Sequence, residues 1–337
     1  MRNQLCIPVH DSSQVGQARR AAADLSRRIG FDETQAGRIA LAASEAATNL
    51  AKHASNGRLL LTTSRNGMLE LLAIDTGPGI PSPARAMDDG YSTAGSSGTG
   101  LGALRRLSDQ FDLYSTVGKG TVLVARFLRH RPNTRLNIAS VCLPVRGEQV
   151  SGDDWSVAEI AGKAKIAVAD GLGHGPAASE AASEAMRVFQ KHQSEPPGAL
   201  LARMNDALRK TRGAAAAVSE IDFTEPAICF AGIGNIASTV YLPDNVRKMV
   251  SHNGTLGHQI RKVQEFRYPW ARNALLVMNS DGLGTGWRLE DYPGLAACDP
   301  AVIAGVLYRD FTRGRDDVTV VVAKQRSEWQ PESSHLL

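Results

Sequence analysis

The stretch Lys165 to Gly175, KIAVADGLGHG, constrains the chain most: a β-branched apolar run stops at Asp170 and then turns through three glycines. An apolar run of this length bounded by Asp-Gly predicts a buried strand. The sequence that follows, PAASEAASEAMRVF, predicts a helix with Pro176 at its first position. Asp170 is thereby set at a strand end, beside a glycine turn whose backbone can come close to a ligand. A carboxylate next to the Gly171 carbonyl suits a hard divalent cation such as Mg2+ or Mn2+. Asp-Gly alone is a turn dipeptide, so the reading depends on what else converges there.

The 337 residues suffice for two domains, and 43% hydrophobic with 21% charged residues describes an ordinary globular chain. No uninterrupted apolar stretch approaches the ~20 residues that span a bilayer. The opening MRNQLCIPVHDSS lacks the apolar centre of a secretion signal. Cys6, Cys142, Cys229 and Cys298 are scattered, which agrees with a reducing compartment. A cytoplasmic protein with no membrane partner is expected. The net charge of +4 comes from a basic excess in the first 133 residues, which suits an anionic ligand or an acidic partner there. No basic tract interleaved with aromatics supports a nucleic-acid partner.

In the first half, Val15 to Ile29 and Asp32 to Ala54 read as helices broken at Gly30, with Asp32 as N-cap. Ala36, Ile39, Ala43, Ala46, Ala47, Leu50 and Ala54 form an apolar stripe on the second helix, and Glu45, Asn49, Lys52 and His53 gather on the other face. Strands are predicted at Arg58 to Ser64 and Met68 to Ile74, joined by Asn66-Gly67. The second of them delivers Asp75 into DTGPGI. A polar connection then meets Gly98-Thr99-Gly100-Leu101-Gly102 at the start of a helix, where outward-pointing amides and the helix dipole favour a phosphate. Strands Phe111 to Thr116 and Thr121 to Phe127 close the unit.

There is no P-loop, no eukaryotic kinase motif set, and the glycine run follows a loop rather than a strand, against a Rossmann site. Glu45-x-x-x-Asn49, Asp75-x-Gly77-x-Gly79 and Gly98-x-Gly100-x-Gly102, in this order, resemble the three nucleotide-binding boxes of the GHKL ATPase superfamily. SEAATNLAKHA and GTGLGALRRLSDQFDL resemble the anti-sigma serine kinases of bacterial partner-switching pathways. The resemblance implies an α/β sandwich holding ATP between helices and a mixed sheet. By position, Asn49 would ligate the Mg2+ of ATP and Glu45 would orient or deprotonate the attacking hydroxyl. Asp75 would accept from the adenine amino group, Gly77 and Gly79 would admit the base, and Gly98, Thr99, Gly100, Leu101 and Gly102 would hold the phosphates. Lys52 and His53 are left as possible phosphate neighbours.

The polar HRPNTRLN, residues 130–137, reads as the linker between a first domain at 1–129 and a second at 138–326, with a tail at 327–337. Strands are predicted at Ala139 to Leu143, Glu220 to Phe223, Ala227 to Ala231, Ala237 to Leu242, Lys248 to Ser251, Ala274 to Met278 and Val318 to Ala323. Helices are predicted near 176–192 and 197–212. Four acidic positions stand at the ends of strand-like runs: Asp153, Asp170, Asp281 and the pair Asp316 and Asp317. Carboxylates gathered on one rim repel one another, and metal ions are the natural compensation.

The contexts GDDW, ADGLGHG, NSDGL and RDDVTVVV resemble, in this order, the type-2C metal-dependent protein phosphatases of the sporulation and stress-response branch. That resemblance implies two sheets face to face with helices outside, so the fold class of the whole is α+β with an α-β-β-α sandwich second. It also implies two Mn2+ or Mg2+ ions, with Asp170 bridging, the Gly171 carbonyl ligating one, and Asp153, Asp281 and Asp316 completing the shell. Asp317 rivals Asp316, and His174 is a candidate to protonate the leaving alkoxide, with a turn histidine as the alternative. Together the resemblances imply a regulator that phosphorylates and dephosphorylates a STAS-type antagonist protein. The alternative is a phosphatase whose first domain binds ATP only to sequester a sigma factor or STAS protein, or to gate the second. The oligomeric state is left open.

Overall fold

The computed structural model describes residues 4–64, 67–87, 100–258 and 260–326. Asn66, Gly98, Thr99 and the 327–337 tail lie outside the described residues. The chain divides into two compact units, Met1–Pro132 with Arg288–Asp310, and Asn133–Trp287 with Phe311–Leu337.

The first unit begins with a strand that the sequence reading did not anticipate, β1 (Gln4–Val9), then α1 (Ser13–Arg28) and α2 (Glu33–His53). Asp32 caps α2: its carboxylate accepts from the Gln35 amide at 2.7 Å, and the Gln35 side chain returns a bond to the Asp32 amide. This reciprocal cap satisfies two of the donors a helix start leaves open. Strands β2 (Gly57–Thr63) and β3 (Met68–Ile74) follow, then the short α3 (Pro83–Ala86), α4 (Gly100–Leu107), β4 (Gln110–Thr116) and β5 (Gly120–Leu128). The strands form an antiparallel sheet in the order β1-β2-β3-β5-β4. Ile39, Ala43, Ala46, Ala47 and Leu50 of α2 bury against Leu59, Leu61, Leu71, Ala73 and Phe127 on one sheet face. Lys52 and His53 are exposed, as their helix face predicts.

The second unit holds two five-stranded sheets. Its elements are β6 (Leu136–Leu143), β7 (Asp153–Ile160), β8 (Lys163–Gly171), α5 (Pro176–Lys191), α6 (Pro197–Ala207), β9 (Ala214–Asp222), β10 (Ala227–Ile233), β11 (Ala237–Leu242), β12 (Asn245–Lys248), β13 (Phe266–Pro269), β14 (Leu275–Asn279) and β15 (Val318–Gln325). The orders are β13-β10-β9-β8-β7 and β12-β11-β14-β15-β6. One core, with Trp155, Ile166, Val168, Phe230, Leu276 and Val321, fills the space between the sheets. A second, with Ala167, Ala169, Ala182, Phe189 and Leu201, lies between the first sheet and α5 and α6. Residues 214–217, four consecutive alanines, extend β9 well before the predicted Glu220: Ala214 and Ala216 face the close-lying helices, and Ala215 and Ala217 the core between the sheets. The strand expected at Lys248 to Ser251 lies earlier, at β12, where the pairing Leu242↔Asn245 closes a tight hairpin with β11.

Residues 288–310, which sequence continuity would assign to the second domain, pack with the first unit. They carry most of α7 (Pro300–Phe311), a helix the sequence reading did not find. Arg126 of β5 lies directly opposite Glu70 of β3 and donates to it at 2.6 Å; its two Nη atoms grip both oxygens of Asp299, each at 2.6 Å. Arg126 and Glu70 are buried, so this is a desolvated, bidentate pair with its hydrogen bonds met. Asp299 also accepts from the Ala301 amide, and Arg58 reaches the Tyr308 hydroxyl. A Cβ on Gly305 would stand 2.6 Å from Val122, so the glycine lets α7 sit flush on β5.

Candidate active sites

In the first unit, β3 ends at Ile74 and the chain turns through Asp75 to Ile80. The turn is held from both sides: Thr76 donates to the Ser55 carbonyl beyond α2, while Gly118 donates to Pro78 and Ile80 to the Ser115 hydroxyl. Gly79 has φ +74° and Gly120 φ +95°. A Cβ on either would run into the backbone of Thr116 or Asp75, so both positions require glycine. Asp75 is fixed by its own turn, one oxygen accepting from the Gly77 amide at 2.7 Å, and burial raises its pKa.

Glu45 and Asn49 lie on one face of α2, a turn apart. Asn49 stands against the start of α4: a Cβ on Gly100 would come within 3.0 Å of its Oδ1 and 3.3 Å of its Nδ2. The Asn49 Nδ2 is buried and has no hydrogen-bond partner among the described residues. An orphaned buried amide beside a glycine-opened helix start fits an oxygen-rich ligand such as a phosphate chain with its cation. Gly100 and Gly102 belong to α4, as does Leu101; Gly98 and Thr99 lie outside the described residues.

In the second unit the sheet register does the assembling. The β7–β8 ladder opens with Asp153 directly opposite Asp170. Like charges facing each other across a ladder are destabilising unless something neutralises them. On the other sheet, Asp281 follows β14 while Asp316 and Asp317 precede its antiparallel neighbour β15, so the three stand at one end. Ser280 ties the two sheets together there, donating to Asp153 Oδ2 at 2.6 Å and accepting from the Thr319 amide at 2.9 Å. Burial, then the charges of Asp153, Asp281, Asp316 and Asp317, push Asp170 up to about 9. Asp153 is raised as well, chiefly by burial.

The aspartates differ in what their oxygens already do. Asp317 gives one oxygen to the Val145 amide and the other to the Gly152 amide, both at 2.7 Å, and so fastens the β6–β7 loop. Among the described residues Asp316 accepts only from the Asp317 amide, at 2.9 Å. Asp281 receives a bond from Asn235 at 2.7 Å. Gly171 is a glycine because Ala178 of α5 crosses over it, leaving no room for a Cβ. Among the described residues no three acidic, imidazole or thiol groups stand together so as to hold a metal ion as they are placed. What stands there is an open rim of carboxylates plus one carbonyl, a hard-oxygen donor set whose raised Asp170 signals missing positive charge. Such a set fits Mg2+ or Mn2+.

His174 is exposed, with Nδ1 2.8 Å from Glu148 Oε1. Sequence reasoning missed Glu148, Ser280 and Asn235. Only Asn235 left a trace, in the AGIGNI turn where Gly234 has φ +94°.

A glycine-opened turn beside an unpartnered asparagine on an α/β sandwich, and an acidic rim on a two-sheet sandwich, define a chain with a kinase-like and a phosphatase-type domain. Comparison with known proteins agrees. The family described as "Histidine kinase-like ATPase domain" matches residues 9–127, and that described as "Stage II sporulation protein E (SpoIIE)" matches residues 161–326. The serine/threonine-protein kinase RsbT of Bacillus subtilis (strain 168) is 34% identical over 129 residues, covering 37% of this chain and 96% of RsbT. The phosphoserine phosphatase RsbX of the same strain is 24% identical over 138 residues, 41% of this chain and 69% of RsbX. A crystal structure of RsbX in complex with magnesium shares the fold, with 20% identity and a TM-score of 0.50 over 58% of this chain and 98% of that one. The chain belongs to the histidine kinase-like ATPase family and carries a SpoIIE-type phosphatase domain behind it. No helix among the described residues is long and apolar enough to cross a membrane.

Proposed function

We propose that this chain is a bifunctional cytoplasmic regulator of a partner-switching pathway: its first unit phosphorylates a Ser or Thr on a STAS-type antagonist, and its second hydrolyses phosphoserine or phosphothreonine on that protein or a relative. The observation that carries the reading is the acidic rim, where ladder register sets Asp153 opposite Asp170 while Asp281 and Asp316 stand at the end of the other sheet. Likeness to RsbT and RsbX supports the two activities.

In the first unit, Asn49 would hold the Mg2+ of ATP, Asp75 would accept from the adenine amino group, and the α4 amides at Gly100 to Gly102 would face the phosphates. Glu45, a turn from Asn49, would take the proton of the attacking hydroxyl. In the second, Asp153, Asp170, Asp281, Asp316 and the Gly171 carbonyl would hold two Mn2+ or Mg2+ ions. When bound, such a pair of ions would supply an acidified water for attack on phosphorus. Ser280 and Asn235 fix the angles of Asp153 and Asp281. Asp317, with both oxygens engaged by amides, holds the loop rather than a metal. His174, steadied by Glu148, is placed to supply a proton to the leaving oxygen.

A second reading, in which the first unit gates the phosphatase, is favoured by one fact: residues 288–310, between Asp281 and Asp316 in the chain, belong to the first unit. Incubation with Mg-ATP and a STAS protein, and separately with Mn2+ and the phosphorylated protein, tests the proposal by phosphosite mapping. Phosphotransfer lost in Glu45→Ala supports the kinase. Binding without transfer, and hydrolysis that responds to a non-hydrolysable ATP analogue, supports the gate.

A further inference from the structure

We infer that Arg212 is the residue that recognises the substrate's phosphate at the acidic rim, an assignment that rests on the phosphatase reading of the second unit. The β8–β9 ladder runs Asp170↔Ala215 and Gly171↔Ala214. It continues one rung further, with the Leu172 amide donating to the Gly213 carbonyl at 3.0 Å, so Arg212 comes opposite Gly173. The register that presents Asp170 therefore also presents a guanidinium three residues along the same turn.

The backbone around Arg212 is fixed by four bonds. The Thr211 amide donates to Leu208 at 2.9 Å and the Gly213 amide to the Thr211 hydroxyl at 3.0 Å. His258 Nε2 lies 2.8 Å from the Arg212 carbonyl, and Leu172 holds the Gly213 carbonyl. Gly213, at φ +81°, could not carry a side chain: its Cβ would stand 2.6 Å from the Leu256 carbonyl.

The side chain at the end of this anchored backbone is left unpaired. Among the described residues the guanidinium has no hydrogen bond and no ion pair. Its Nη1 is 3.3 Å from where a Gly173 Cβ would sit, and the Gly173 carbonyl is 3.3 Å from where a Gly152 Cβ would sit. The Gly152 amide is bound to Asp317. The Gly173 and Gly152 backbones thus lie between the guanidinium and Asp317.

An incoming phosphate dianion needs positive charge outside the carboxylates as well as among them. Guanidinium presents a planar fork that matches two phosphate oxygens, and it is less hydrated than an ammonium. The other basic group of this turn, His174, is engaged by Glu148. Leu172, 51% exposed between Asp170 and Arg212, offers apolar surface to the residues flanking the phosphoserine.

The test uses the full chain with Mn2+ and three probes: a phosphoserine peptide, p-nitrophenyl phosphate, and inorganic phosphate as product inhibitor. In Arg212→Ala, KM for both substrates and Ki for phosphate rise together by about 10- to 100-fold, the worth of a charge-assisted bidentate contact, while kcat changes by less than about threefold. Arg212→Lys recovers part of the loss, and an unchanged melting temperature shows that both variants fold. Unchanged KM and Ki in an active protein overturn the assignment to Arg212 alone. A rise in KM for the peptide without a rise in Ki also overturns it, since the residue then reads the polypeptide. A wild-type chain that hydrolyses neither substrate overturns the phosphatase reading, and this inference with it.

Discussion

The two candidate sites solve opposite problems. In the first unit the ligand space is made by removing atoms: Gly79, Gly120 and Gly100 lie where a Cβ would meet Thr116, Asp75 or Asn49. Few charges are involved, and among the described residues the Nδ2 of Asn49 is left over. In the second unit the site is made by accumulating charge, with four aspartates at the ends of two sheets and Asp170 pushed up to about 9. One site is shaped by the fold at little electrostatic cost. The other is held in a repulsive state that the fold tolerates until cations arrive. Mutations should therefore move stability in opposite directions at the two sites, although they abolish function at both.

The largest expected effect is at Asp170. Asp170→Asn should lower Mn2+-dependent hydrolysis of a phosphoserine peptide by more than about 100-fold, since losing a ligand exceeds the 10- to 100-fold typical of its supporting residues. The same variant should raise the melting temperature of the metal-free chain at neutral pH, because it removes the cost of protonating a carboxylate opposite Asp153 without changing the shape. Scanning calorimetry in chelator reads the sign. A lowered melting temperature would mean that the carboxylate is paired, and the contrast between the sites would fail.

Next in size is the buried pair under the first site. Arg126→Met leaves Glu70 and Asp299 without their shared partner, and breaking a buried pair costs about 3–5 kcal/mol. Urea unfolding should show that loss. The double variant Arg126→Met with Glu70→Leu should recover part of it, because one uncompensated charge is then gone. Gly120→Ala comes third: a Cβ at φ +95° against the Asp75 carbonyl should cost about 1–3 kcal/mol and weaken ATP binding in parallel. Its stability change is opposite in sign to that of Asp170→Asn, the outcome that separates a shape-made site from a charge-made one.

How much of this was legible in the sequence follows the same division. Local rules found what is local: the Asp32 cap, the alanine stripe of α2, and the Asp-Gly turn after β8 all follow from spacing. The acidic rim was legible because turn aspartates stand at strand ends, where register alone brings them together. β7 and the alanine start of β9 were not, since Asp153–Ile160 alternates weakly and polyalanine favours helix when read alone. The 288–310 segment was illegible for a deeper reason. Sequence continuity places it in the second unit, and only the three-dimensional pairing of Arg126 with Asp299, 173 residues apart, assigns it to the first. The supporting side chains Ser280 and Asn235 have no spacing that marks them, because their partners Asp153 and Asp281 are set by tertiary contact.

The last expected effect is a slope with pH. Asp170 in the metal-free fold binds its proton more tightly than in the unfolded chain, where an aspartate titrates near 4. The folded state therefore holds the extra proton between these values, and the stability this contributes is present in acid and lost as pH rises through about 9. The metal-free melting temperature should fall from pH 5 to pH 9, by about 2–4 °C for each kcal/mol lost in a domain of this size. In Asp170→Asn the slope should flatten. In the parent chain, Mn2+ should raise the melting temperature more at pH 8 than at pH 6, because the cation must displace that proton. A slope that survives the substitution would assign the titration to a group away from the rim, and the charge-made character of the second site would have to be sought elsewhere.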